Sequence, residues 1–258
     1  MKKMLLLAAL VAALVPLVTV SAAAQGQAKP ALSDAILVPG SSPIMAEPFK
    51  PNASKPPKYC SPCLFYTGDF NPKTGDGVDN ELGGSLGSGE YAEVYDGMTV
   101  PKGKIWTITK LFINTLATGS SSIDPTEPWD IRQGVTSGSG GTDVASGTGR
   151  DAFKGIGPPP GFGYEEYTNI VTLQKKAVLK AGTYFVDVLT SCQTSSCGGG
   201  EFFETTQDSP PTRTKCTGTD CFGPPQPWDD SYFNSGYFGD SWVPIKGQFS
   251  FGAMGTSR

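Results

Sequence analysis

From Cys63 onward no stretch of this sequence sustains a 3.6-residue apolar period over three turns, and this limits the fold more than any single motif does. An amphipathic helix needs that period to bury one face. The chain offers instead short apolar or alternating runs broken by Gly, Pro, Asn and Asp, which is the pattern of strands joined by turns. The clearest run is 105–116, where Ile105, Thr107, Thr109, Leu111 and Ile113 are expected on one face and Trp106, Ile108, Lys110 and Phe112 on the other. Further strands are expected over 91–95, 98–100, 129–135, 167–173, 184–189 and 248–253. Pro101-Lys102-Gly103 and Lys180-Ala181-Gly182 carry the chemistry of turns between neighbouring strands. Without helical crossovers a parallel sheet has no connections. The sequence therefore predicts an all-β, antiparallel β-sandwich, jelly-roll-like, with long Gly/Ser-rich surface loops at 83–89 and 137–149.

The N-terminal residues place Lys2 and Lys3 before an apolar run that ends in small residues, with Ala22 and Ala24 in the positions a signal peptidase accepts. Residues 1–24 are read as a signal peptide. A membrane anchor fits less well, because Pro16 interrupts the run and polar, Pro-rich sequence follows it. Residues 25–58 carry seven prolines, from Pro30 to Pro57, and few large apolar side chains, so an extended, loosely docked arm is expected. Its one apolar piece, Ala35-Ile36-Leu37-Val38, is the alternative: a strand added to a sheet edge in this or another molecule. Residues 59–258 are read as a single β-sandwich domain. The expected product is secreted or extracellular, in the periplasm or at the cell surface, with no membrane span after processing.

The succession LFYTGDFNPKTGDG, VYDGMTVPKGKIWTITKLFI, WDIRQGVTSGSGGTDVASGTG, LKAGTYFVDVL and FSFGAMG resembles a group of exported bacterial β-sandwich proteins related to those with PEP-CTERM sorting anchors. The resemblance runs from about Leu64 to Gly255 and rests on strand and turn motifs. It implies a fold and a location, and no active site. This sequence ends in FGAMGTSR, without the apolar tail of the anchored relatives.

The chain has no histidine. A Ser-His-Asp triad, a His-assisted cysteine nucleophile, His-ligated zinc and CxxCH haem are thereby excluded. Without Lys2 and Lys3 the net charge is about −6, so nucleic acid, which needs a basic surface, is not an expected partner. The six cysteines form three close pairs, Cys60/Cys63, Cys192/Cys197 and Cys216/Cys221. In an exported chain they read first as disulfides, whose fifteen possible connectivities the sequence does not assign although local pairing that pins loops is favoured, with a redox CxxC and thiolate-bound zinc as alternatives. The stretch GDFNPKTGDGVDNE gathers Asp69, Asn71, Asp76 and Asp79, oxygen ligands suited to a structural calcium ion. Its spacing does not match an EF-hand, and Asx turns explain the same residues. Paired carboxylates such as Glu165/Glu166 lie on opposite faces of a strand, so a carboxylate-dependent hydrolase rests on composition alone.

PWDDSYFNSGYFGDSW, 227–242, sets six aromatic rings among Asp, Asn, Ser and Gly. Sugar rings offer apolar C–H faces and hydroxyl edges, which flat aromatic rings beside carboxylates and amides complement. Trp228, Tyr232, Tyr237 and Trp242 are the expected stacking residues, and Asp229, Asp230, Asn234 and Asp240 the hydrogen-bonding ones. The opposing reading packs these rings on the sandwich, with Phe233 and Phe238 pointing inward. The expectation is a secreted, non-catalytic protein that binds carbohydrate or another surface polymer. A structural surface or matrix protein, self-associating through the N-terminal arm, is the alternative, and a secreted hydrolase the further one.

Overall fold

The computed structural model describes residues 30, 36–37, 55–68, 77–117, 125–157, 165–192, 201–207, 215–216, 221–227, 230–245 and 247–258. Among them run the strands β1 (Ile36–Leu37), β2 (Cys63–Tyr66), β3 (Gly77–Asp79), β4 (Glu81–Gly83), β5 (Tyr91–Ala117), β6 (Thr126–Gln133), β7 (Thr142–Gly157) and β8 (Glu165–Val188). They are followed by β9 (Thr190–Cys192), β10 (Glu201–Gln207), β11 (Lys215–Cys216), β12 (Gln226–Pro227), β13 (Ser231–Ser235), β14 (Val243–Ile245), β15 (Gln248–Phe249) and β16 (Phe251–Ser257). The helical content among the described residues is one 3-10 turn at Gly84–Leu86. Pairing is antiparallel except for the short β4–β9 contact, so the all-β antiparallel sandwich is what this sequence folds into.

Two long strands organise the rest. β5 and β8 pair from Asp96↔Val186 to Ala117↔Glu165. The turns expected at Pro101-Lys102-Gly103 and Lys180-Ala181-Gly182 are absent, because both segments lie inside these continuous strands. Val100 faces Gly182 and Ile105 faces Lys180, so residues 101–104 bulge opposite Ala181. Proline lacks a donor and Gly103 has φ of 77°, properties that serve a bulge as well as a turn. A second bulge reverses the first: Ile108 faces Ala177 and Lys110 faces Thr172, so β8 now holds the extra residues.

β5 also folds back on itself. Its residue Asp96 accepts from the Phe249 N–H at 3.0 Å, while the Asn114 amide lies 2.7 Å from the hydroxyl of Ser250, the very next residue. A straight strand would hold Asp96 and Asn114 about 60 Å apart. The first half of β5 pairs with β13, and its second half with β16 and β10. Two layers result, sharing β5 and β8, and their inner faces enclose one core that includes Val94, Met98, Trp106, Leu111, Trp129, Val186, Phe233 and Phe249. The bulge at Thr109 switches the alternation, so Trp106, Ile108, Leu111 and Ile113 all join this core. That corrects the two-face assignment expected for 105–116.

Phe112 is left on the outer side, where Tyr59, Tyr66, Cys60 and Met254 cover it. The segment providing this cover is closed by the expected local disulfide, Cys60–Cys63. Of the second expected pair, Cys192 ends β9, while Cys197 lies outside the described residues, so the Cys192–Cys197 bridge is an expectation of the sequence alone. Of the third, Cys216 ends β11 and Cys221 is disulfide-bonded and buried. The arm does more than dock loosely: Ile36 and Leu37 form β1 on the edge of β3, opposite Val78 and Gly77 of the same chain. Residues 142–149, expected in a loop, form the first half of β7. Residues 1–24 lie outside the described residues.

Asp96 of the DGMTVP stretch is fully buried. Its Oδ1 accepts from Gly97 N–H at 2.7 Å and lies 2.9 Å from the Ser231 hydroxyl, while Oδ2 accepts from the Gln248 amide at 2.7 Å and from Phe249 N–H. It joins β5, β13 and β15 at one point. Asp96→Ala strands these donors in the core and is expected to cost at least about 3 kcal/mol. Removing the four-residue disulfide loop with Cys60→Ser/Cys63→Ser should cost less, about 2 kcal/mol. Urea unfolding of both variants checks the order.

Candidate functional site

The aromatic stretch divides by the two-residue period of β13. Ser231, Phe233 and Ser235 are buried, while Tyr232 and Asn234 are half-buried on the opposite face. Phe233 and Phe238 point inward as expected, their ring centroids 5.8 Å apart. Tyr237 meets Phe238 edge-on at 5.0 Å and packs against the core, which makes it a structural residue. Asp240 contributes its carbonyl to a turn, accepting from Ser235 N–H at 2.9 Å. Asp230 is half-buried beside Gly97, and burial raises its carboxyl above the usual range. Trp228 and Asp229 lie outside the described residues.

Strand register brings distant residues beside Tyr232 and Asn234. Tyr232 faces Tyr95 and Asn234 faces Glu93 across β13 and β5. On the adjoining strands Asp130 faces Asp187 and Arg132 faces Phe185. Tyr95, Phe185 and Val135 form a cluster with Tyr232 and Trp242 packed against it. The Trp242 ring lies 4.7 Å from Tyr95, centroid to centroid, and 5.1 Å from the Arg132 guanidinium, a cation–π contact. Gly140 abuts the edge of the indole so closely that a Cβ there would sit 2.3 Å from it. Trp242 is also the one non-glycine residue with positive φ, 53°, among those described. A bulky side chain holds that conformation only where its surroundings over-determine it, and here the ring contacts and the Gly138 N–H bond to its carbonyl at 3.0 Å do so.

Glu93, Asp130 and Asp187 lie within electrostatic reach of one another, and the Arg132 guanidinium pairs with Asp130. Arg132 bonds Asp130 Oδ2 at 2.8 Å and the Gly140 carbonyl at 2.6 Å. Asn234 donates to Glu93 Oε2 at 2.7 Å. The Tyr95 hydroxyl is within hydrogen-bonding reach of Glu93 and Asp130. Burial, reinforced by Asp130, pushes Glu93 up to about 7. Burial, then the charges of Glu93 and Asp130, holds Asp187 well above the usual carboxylate range. Burial also raises Asp130, although Arg132 opposes it. Glu93 therefore holds its proton up to near neutrality, offering a carboxyl O–H donor beside acceptors. Asp130 Oδ1 and Asp187 Oδ1 are buried without a hydrogen-bond partner among the described residues.

Sequence reasoning missed Glu93, Tyr95, Asp130, Arg132 and Asp187. The available signal was that 93/95 and 130/132 are polar or aromatic alternations within expected strands. Which strands would adjoin was not available. Among the described residues no group of three or more His, Cys, Asp or Glu side chains is arranged to hold a metal ion. Of the expected calcium ligands, Asp69, Asn71 and Asp76 lie outside the described residues and Asp79 is buried in β3. The neighbouring Asn80 donates to Val188 C=O at 2.9 Å, accepts from Val94 N–H at 2.8 Å and also hydrogen-bonds the Asp187 carboxyl.

Fold and face together define an antiparallel β-sandwich with an aromatic, carboxylate-rich outer sheet surface. No protein-family profile, curated protein or solved structure matches this chain.

The raised carboxyls set a pH dependence. Protonated Glu93 contributes stability that is complete below pH 4.5, its ordinary value, and is lost as pH rises to about 7. Glu93→Gln should flatten the fall in Tm across that window, and relative to its position at pH 4.5 should gain about 3 kcal/mol or less by pH 8. Thermal melts at both pH values test this.

Proposed function

We propose that this protein is an exported, non-catalytic β-sandwich that binds carbohydrate or another surface polymer through the face around Trp242. The observation that carries this reading is the convergence of half-buried Trp242, Tyr232 and Asn234, from the aromatic stretch, over the Glu93–Tyr95–Asp130 group. Aromatic rings complement the C–H face of a sugar, and a mixed set of carboxyl donors and acceptors complements its hydroxyls. Export is supported by the N-terminal 24 residues and by a disulfide that suits an oxidising compartment.

A second reading is favoured by one observation. Glu93, held protonated up to about 7, and Asp130, paired with Arg132, are the acid and carboxylate that glycoside hydrolysis uses. The same experiment separates the two.

The purified protein is applied to a panel of soluble and insoluble polysaccharides, with calcium and with chelator, following retention and release of reducing sugar. Retention without sugar release is expected. Trp242→Ala and Tyr232→Ala should each weaken retention about tenfold. Sugar release abolished by Glu93→Gln would replace binding by hydrolysis, and no retention on any polymer would overturn both.

A further inference from the structure

β7 and β8 pair from Gly157↔Glu166 to Gly149↔Leu173 and then part. Just past the fork, β8 enters its bulge opposite Thr109. β7 is irregular there too: Ile131 and Arg132 of β6 face Ala145 and Asp143, which leaves Val144 as the extra residue. Bulges re-aim side chains. Val144 and Val178 are the exposed large hydrophobics among the described residues, at 40% and 59%, and Lys175 and Lys176 are exposed beside them. Between the two strands lies a cavity of about 230 Å³ lined by these four residues, Ser146 and Trp129 among others.

Trp129 forms the aromatic wall of the cavity. The side chain is 3% exposed, and its indole Nε1 is buried without a hydrogen-bond partner among the described residues. An indole nitrogen only donates, and a buried unmade bond is costly. Ser146 lines the same cavity without bonding that nitrogen, and its hydroxyl donates to Asp143 Oδ2 at 2.6 Å. The lining contains no carboxylate. What the cavity offers is therefore two ammonium groups and apolar walls, with the unpaired indole N–H buried behind them.

We propose that this cavity is a second binding site, taking a carboxylate carried on a body the size of one ring. The lysines complement the anion, the valines and Trp129 complement its carrier, and the volume is below that of sites for larger ligands. The carrier is a uronic acid or a small aromatic acid. The site is independent of the Trp242 face: Asp130 and Arg132 serve that face, whereas Trp129 points to the other side of the same strand.

The test is calorimetric titration of the purified protein with D-glucuronate and with benzoate, each against its neutral counterpart, D-glucose and benzamide. One acid should bind at least tenfold more tightly than its counterpart, and which one identifies the carrier. Lys175→Gln/Lys176→Gln and Val178→Glu, both at exposed positions, should each weaken it at least tenfold, and Trp242→Ala should leave it unchanged. Binding should also shift the Trp129 indole N–H resonance. Absence of binding by either acid, equal binding of the neutral compound, or lysine variants that bind like the parent would overturn the site. Loss with Trp242→Ala and retention in the lysine variants would reassign the ligand to the other face.

Discussion

The fold depends on β5 returning over itself while staying paired to β8. A strand of 27 residues has no core of its own, because one sheet buries only one face. Folding the β5–β8 ribbon over produces two facing layers from a single pair of strands. The opposed bulges make this possible without loss of register, since extra residues on β5 at 101–104 are matched by extra residues on β8 at 173–176. A net slip would have sent each side chain beyond it to the wrong face.

Bent, bulged strands leave polar backbone groups at their corners, and buried side chains take the place of ladder partners. Asp96 serves the β13–β15 junction. Thr67 is its counterpart at the next turn, accepting from Phe251 N–H at 2.8 Å and lying 2.6 Å from the Phe249 carbonyl. Asn114, held by Ser250 and Thr168, joins β16 and β8 to β5. These residues are fully buried, and in the low dielectric of the interior each is worth more satisfied than it would be in water. The motif-like DGMTVP stretch is thus explained by support of the backbone.

The outer face of the first layer follows different physics. Glu93, Asp130 and Asp187 oppose one another, with Arg132 as their nearby cation, and Trp242 is held in a conformation few bulky residues adopt. A stability-driven surface would dilute such charges in solvent. Here the polar residues are wholly or partly buried beside aromatic rings, and it is on this arrangement that the proposed ligand face rests.

The all-β class and the inward course of Phe233 and Phe238 with Tyr232 and Asn234 outward were determined by the sequence itself, which favoured the Cys60–Cys63 bridge among fifteen connectivities without assigning it. Each depends on residues within a few positions, through the two-residue period of a strand or the closure of a short loop. Whether Pro101-Lys102-Gly103 made a turn or a bulge was decided by tertiary structure, because the local chemistry of both is the same and only the presence of β8 alongside distinguishes them. The candidate site was decided in the same way. Asn234 meets Glu93 across 141 positions, and Asp130 meets Asp187 only because β6 adds to β8. Such contacts are set by strand order and register, which follow from how the whole chain buries its apolar faces and which no local window contains.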